Sequence, residues 1–190
     1  CLAKSDIVII CVGNQTDEEA FKENSVVLKR LVNSIIQFTE NPIVCLLSNP
    51  INALLPIIHQ IYSKNGVNTD KIYGLATLDL IRSEIFLREI LNGKGVYEFD
   101  NVIQDSIRVI GGHSNESIVP IILNKEIKSE LSSNEYRQFI QRVQNGDGEI
   151  IEAKNGRGTA TLSMAVAAHK IINNLLTVLN QKEDQGMVNE

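Results

Sequence analysis

Apolar residues follow two alternating rhythms along this chain. Unbroken apolar runs occur at residues 6–12 (DIVIICV), 43–48 (IVCLLS) and, more briefly, 71–75. Such runs predict strands covered on both faces. Between them the apolar positions recur every three or four residues. Val27, Leu28, Leu31, Val32, Ile35 and Ile36 fall on one helical face that Asn41-Pro42 terminates. Thr16 and Glu19 read as a capping box at its start. A second helix is predicted over 54–62, ending at Asn65-Gly66, and a third, capped by Thr77, carries Leu78, Ile81, Ile85 and Leu91 to Asn92-Gly93. Residues 106–110 and 118–123 are strand-like. Ser132 and Glu135 form another capping box before YRQFIQRVQ, and 158–179 read as a long helix rich in Ala, Met and Leu.

Strands alternating with helices predict βαβ units and a mostly parallel α/β sheet. Ligands of such sheets bind outside the carboxyl ends of the strands. Those ends are Gly13-Asn14, Asn49-Pro50-Ile51-Asn52, Ala76-Thr77 and Gly111-Gly112-His113. An X-Pro bond at a strand end, as at Asn49-Pro50, can be cis.

Composition narrows the function classes. The 190 residues are 43% hydrophobic and 22% charged with a net charge of −5, ordinary for a globular domain. No basic block marks a nucleic-acid surface, and no apolar stretch reads as long enough to span a membrane. Cys1, Cys11 and Cys45 lack metal-ligand spacing, and no other metal site is expected. Cys11 and Cys45 are expected to pack within strands as small hydrophobes, which fits a reducing compartment. The opening CLAKSDIVIICVG enters a strand almost at once and reads as a chain joined midway.

Three stretches carry candidate chemistry. In ATLDLIR, Asp79 and Arg82 share a helix face at spacing i,i+3; a surface ion pair is the plain account. The chemical account is a carboxylate that orients a histidine beside a guanidinium that grips a carboxylate. SNPIN sets Asn49 and Asn52 at a strand end, as turn-formers or as ligand-facing amides. His113 follows two glycines at another strand end. His59 and His169 lie within helices and read as structural. Gly156-Arg157-Gly158 has no preceding strand and reads as a helix-entry turn.

The order Asn49-Pro50-x-Asn52, Leu78-Asp79-x-x-Arg82, Gly111-Gly112-His113, then Gly158-Thr159-Ala160-Thr161-Leu162-Ser163-Met164-Ala165 resembles malate dehydrogenases of the mitochondrial type, within the lactate and malate dehydrogenase superfamily. The likeness runs from about Ala3 to about Asn180. It implies the C-terminal half of a Rossmann domain over 1–75 and part of an α+β catalytic domain over 76–190. It also implies NAD as cofactor, malate and oxaloacetate as substrates, and a homo- or hetero-oligomer in which the helix after Thr16 is an interface. The mitochondrial matrix is the implied compartment, with cytoplasm or another organelle as the alternative. By resemblance His113 is the acid/base, Asp79 its orienting carboxylate, and Arg82 and Asn52 substrate ligands. Gly13, Asn49 and Met164 lie near the cofactor.

The chain also departs from the family. The Gly-rich fingerprint that opens a Rossmann half is absent from these residues. The family's mobile loop carries two arginines; here it reads GNQTDEEAFKENS, shorter and arginine-free, with Asp17 about where the second arginine belongs. Gln15 alone would suit a monocarboxylate. Two expectations follow: a working malate dehydrogenase, or a diverged, inactive relative serving as a structural or assembly subunit.

Overall fold

A computed structural model describes residues 2–13 and 18–186. The chain divides into two compact units, Cys1–Ala76 with Gly111–Ile118, and Thr77–Ile110 with Val119–Glu190.

In the first unit a short 3-10 turn precedes β1 (Ile7–Ile10), α1 (Glu18–Phe38), β2 (Ile43–Leu46), α2 (Ile51–Lys64) and β3 (Ile72–Gly74). The sheet is parallel in the order β1-β2-β3, with Val8 opposite Val44, Ile10 opposite Leu46, and Val44 opposite Ile72. Right-handed crossovers between neighbouring strands place both helices on one face. The core reflects this: Val8, Ile10, Val44, Leu46 and Ile72 pack with Leu28, Val32 and Ile35 of α1 and Leu54, Ile58 and Tyr62 of α2.

On the sheet face away from α1 and α2, Ile9 of β1 is 36% exposed and Tyr73 of β3 46% exposed, while Cys45 of β2 between them is fully buried. One expectation is corrected here. Cys45 is buried in β2, but Cys11 lies past the end of β1 and is exposed. The Thr16–Glu19 capping box, Asn14, Gln15 and Asp17 lie outside what can be described, in whole or in part.

The second unit comprises α3 (Thr77–Gly93), α4 (Ile103–Ser106), β4 (Ile107–Gly111), β5 (Ile118–Ile122), α5 (Lys125–Ser129), α6 (Ser133–Gln144), α7 (Gly146–Ala153) and α8 (Thr161–Gly186). The tip of its hairpin belongs to the first unit. β4 and β5 form a separate two-stranded sheet. Gly112 N–H donates to Ser117 and Leu123 N–H to Ser106, the pairing of an antiparallel hairpin. His113 therefore sits at a hairpin tip, not at the end of a strand in the parallel sheet as the apolar run before it suggested.

The buried stripe of α3 is also different from the apolar one predicted. Leu78, Leu87 and Leu91 are buried, but so are Asp79, Arg82, Ser83 and Glu84, while Ile85 is exposed. Thr77 is the first helical residue rather than the cap. Helix α8 packs on α3, with Ala167 and Ala168 buried. Lys170 of α8 lies 3.5 Å from Glu84 of α3. Residues Thr161–Gln181 of α8 have a mean hydropathy of 1.4 and are long and apolar enough to cross a membrane by length and composition only. Alanine, valine, leucine and isoleucine on all sides of that helix raise its hydropathy, although one side serves domain packing.

Candidate functional site

The first unit builds its site at the carboxyl edge of the parallel sheet. β1 leads into Gly13, whose φ is +133° and whose hypothetical Cβ would lie 2.4 Å from Asn24 Oδ1. Only glycine fits both the conformation and the contact. Asn24, 3% exposed, donates from Nδ2 to the carbonyl of Asn49 at 2.9 Å. Ser48, also buried, donates to the carbonyl of Val12 at 2.5 Å. These bonds tie the ends of β1 and β2 and the α1 helix together. The Asn49-Pro50 peptide is cis, and Pro50 precedes the first residue of α2.

Asn52 stands in the first turn of α2 and holds the hairpin tip. His113 N–H donates to its Oδ1 at 3.0 Å, and its Nδ2 donates to Ser114 Oγ at 3.1 Å. The first bond settles the amide's orientation, since an N–H must meet the oxygen. Gly112 brings the backbone against this amide: a Cβ there would lie 2.5 Å from Asn52 Nδ2 and 2.8 Å from Ser117 Oγ. Ser114 and Ser117 close the tip as a reciprocal cap, with Ser114 N–H donating to Ser117 Oγ at 3.1 Å. Asn115 takes φ of +37° within it. His113 is half-buried at this pinned tip.

The second unit holds a buried charge cluster. Asp79 is fully buried and Arg82 is 7% exposed, both on α3. Arg82 Nη1 lies 3.7 Å from Asp79 Oδ1, and Nη2 donates to Asp147 Oδ1 at 2.6 Å. Ser83 Oγ donates to the Asp79 carbonyl at 2.7 Å. Buried charges persist only with such partners, so this is not the surface ion pair that spacing alone allows. Met164 of α8 is partly buried against Leu78, Ala160 and Ala167.

Gly13, Asn49, Asn52 and His113 thus belong to the first unit, and Asp79, Arg82 and Met164 to the second. The structure joins Asn52 to the His113 main chain and Arg82 to Asp79. Sequence reasoning missed Asn24 and Asp147. Asn24 had a signal: it precedes Leu28 by four on the buried face of α1, where a polar residue calls for a partner. Among the described residues, no cluster of three or more His, Cys, Asp or Glu is placed to hold a metal ion.

Residues 76–190 match the model of the lactate/malate dehydrogenase alpha/beta C-terminal domain. The chain is 32% identical over 189 residues to the mitochondrial malate dehydrogenase of Sus scrofa, covering 96% of this chain and 54% of that protein. It is 36% identical over 185 residues to the malate dehydrogenase of Actinobacillus succinogenes, covering 94% and 57%. The crystal structure of Cryptosporidium parvum malate dehydrogenase superposes with a TM-score of 0.72 at 22% identity, over 90% of this chain and 56% of that one, a likeness of fold. The chain spans about half the length of the curated relatives it matches.

Proposed function

Because the chain belongs to the lactate/malate dehydrogenase family, we propose that it forms part of an NAD-dependent malate dehydrogenase interconverting malate and oxaloacetate. The observation that carries this reading is the Asn52 clamp, an amide in the first turn of α2 that fixes the main chain of the histidine. Core packing does not require a half-buried histidine at a hairpin tip. We read 1–75 as the C-terminal half of a dinucleotide-binding domain and 76–190 as part of the substrate domain.

In this reading His113 takes the hydroxyl proton of malate and returns it to oxaloacetate, a task suited to a group whose ordinary pKa is near neutrality. Asp79 orients the ring and stabilises the imidazolium. Arg82 pairs with the carboxylate next to the reacting carbon. Asn52 keeps a second amide N–H beyond the one given to Ser114, and this donor meets the substrate oxygen. The bare backbone of Gly13 and the half-buried Asn49 stand at the sheet's carboxyl edge, a position that fits the ribose and nicotinamide of NAD. Met164 packs near the nicotinamide. Bound NAD supplies the hydride acceptor for malate oxidation. The enzyme works as an oligomer with malate and oxaloacetate as its small-molecule partners, in the mitochondrial matrix, with cytoplasm or another organelle the alternative.

A second reading is favoured by one feature. The loop GNQTDEEAFKENS has no arginine and is acidic, which suits a diverged subunit that keeps the fold without turnover and pairs with a related chain. NADH oxidation with oxaloacetate, measured on the full-length protein together with NADH binding in the same sample, separates the two. Turnover supports the enzyme; tight NADH binding without turnover supports the inactive subunit.

A further inference from the structure

The geometry points to Asp147 as a built-in competitor for the carboxylate that Arg82 is proposed to bind. This inference rests on that role for Arg82. Arg82 lines a cavity of about 280 Å³ together with Ile81, Ile85, Phe86, Ile150 and Val166. In an apolar setting of this kind, a fork of two parallel hydrogen bonds from arginine to a carboxylate is strong and specific. Arg82 does not offer that fork freely. Its Nη2 is bonded to Asp147 Oδ1 at 2.6 Å, and its Nη1 is 3.7 Å from Asp79 Oδ1. One guanidinium therefore already faces two carboxylates from its own chain. Glu149, the other charged residue of the lining, accepts from Arg142 Nε at 2.9 Å.

The local build favours this contact. Gly146 presses against the arginine stem: a Cβ there would lie 2.9 Å from Arg82 Cδ and 3.2 Å from Nε. With no side chain at 146, the first turn of α7 comes close enough for the next residue to reach the guanidinium. The two partners differ in burial. Asp79 is fully buried, so it stays beside Arg82 whatever binds. The Asp147 side chain is 54% exposed and can turn into solvent. An incoming small carboxylate must displace it, giving up the energy of the internal bond and meeting its charge. Asp147 thus lowers affinity for anionic substrates without closing the cavity, and acts as a specificity-determining residue.

The test is calorimetric titration of oxalate, at fixed ionic strength, into full-length wild type, Asp147→Asn, Arg82→Gln and the double variant. Asn removes the charge and keeps the shape. Asp147→Ser is a second probe that also suits a helix start, and circular dichroism checks that each variant folds. The expected result is oxalate binding at least tenfold tighter in Asp147→Asn and in Asp147→Ser than in wild type. Arg82→Gln is expected to abolish that gain. Oxalate binding that depends on Arg82 but is equal in wild type and Asp147→Asn overturns the competitor role alone. Binding indifferent to Arg82→Gln in both backgrounds, or no binding in any variant, overturns the substrate role of Arg82 and the inference with it.

Discussion

The main-chain N–H of His113 donates to the side-chain oxygen of Asn52 at 3.0 Å, across 61 positions of sequence. One amide at the start of α2 thereby sets where the histidine backbone lies. The same amide holds Ser114, and Gly112 lets the tip approach it closely. Asn52→Ala removes both bonds and is expected to lower stability by about 1–3 kcal/mol, at roughly 0.5–1.5 kcal/mol per bond, with the lower figure favoured because Asn52 is exposed. Hydrogen exchange at the His113 amide should accelerate in parallel. Gly112→Ala should displace Asn52 and cost about 1–3 kcal/mol through overpacking. Urea unfolding measures both, and unchanged midpoints would show that Asn52 does not hold the tip.

Tyr62 carries a mismatch within the first core. Its ring is 2% exposed, and its hydroxyl has no hydrogen-bond partner among the described residues. Burial pushes its phenol pKa up from the ordinary value. A buried hydroxyl without a partner costs about 1–3 kcal/mol. Tyr62→Phe should therefore leave the melting temperature unchanged or raise it. A clear fall in calorimetry would mean that the hydroxyl is satisfied in solution.

The capping box at α6 predicts a pH dependence. Glu135 accepts from Ser132 N–H at 2.8 Å and Ser132 Oγ at 2.7 Å, with Lys94 at 3.2 Å, and these bonds pull its pKa from 4.5 to about 2. The unfolded chain takes up the proton first as pH falls, so the folded state loses this stabilisation between about pH 4.5 and 2. The stability difference between wild type and Glu135→Gln should be level above pH 5.5 or so and shrink across that window. A difference that stays constant down to pH 2 would contradict the capping role.

The acidic loop predicts a gain of function. Asp17→Arg, at a residue outside the described structure, should raise kcat/KM for oxaloacetate by about 10–100-fold if it restores one charged hydrogen bond of roughly 1.5–3 kcal/mol. No gain would favour the inactive-subunit reading.

Much of the first unit was legible because its strands are unbroken apolar runs and its helices keep a clean apolar period. β1, β2, β3, α1 and α2 all lie where those rhythms placed them, within a few residues. The Ser132–Glu135 cap also forms, because its chemistry is local. What failed was non-local or polar. The stripe of α3 escaped an apolar count because Asp79, Arg82 and Glu84 are buried on it. The four-residue α4 is too short to show a period. α7 opens with GDG, and two glycines in its first turn weaken the helical signal. Asp147 stands 65 positions from Arg82, and nothing in either local pattern joins them. The hairpin at His113 was read as part of the parallel sheet because a short strand-like stretch such as 106–110 cannot announce which sheet it joins.

The central claim is that His113 moves a proton for a dehydrogenase. The most direct measurement is NADH oxidation with oxaloacetate by full-length wild type and His113→Asn, each checked for NADH affinity and folding. The account predicts turnover in wild type, a loss of at least 10²-fold in the variant as expected for a missing general acid, and similar NADH binding in both. Equal turnover in the two proteins would contradict it.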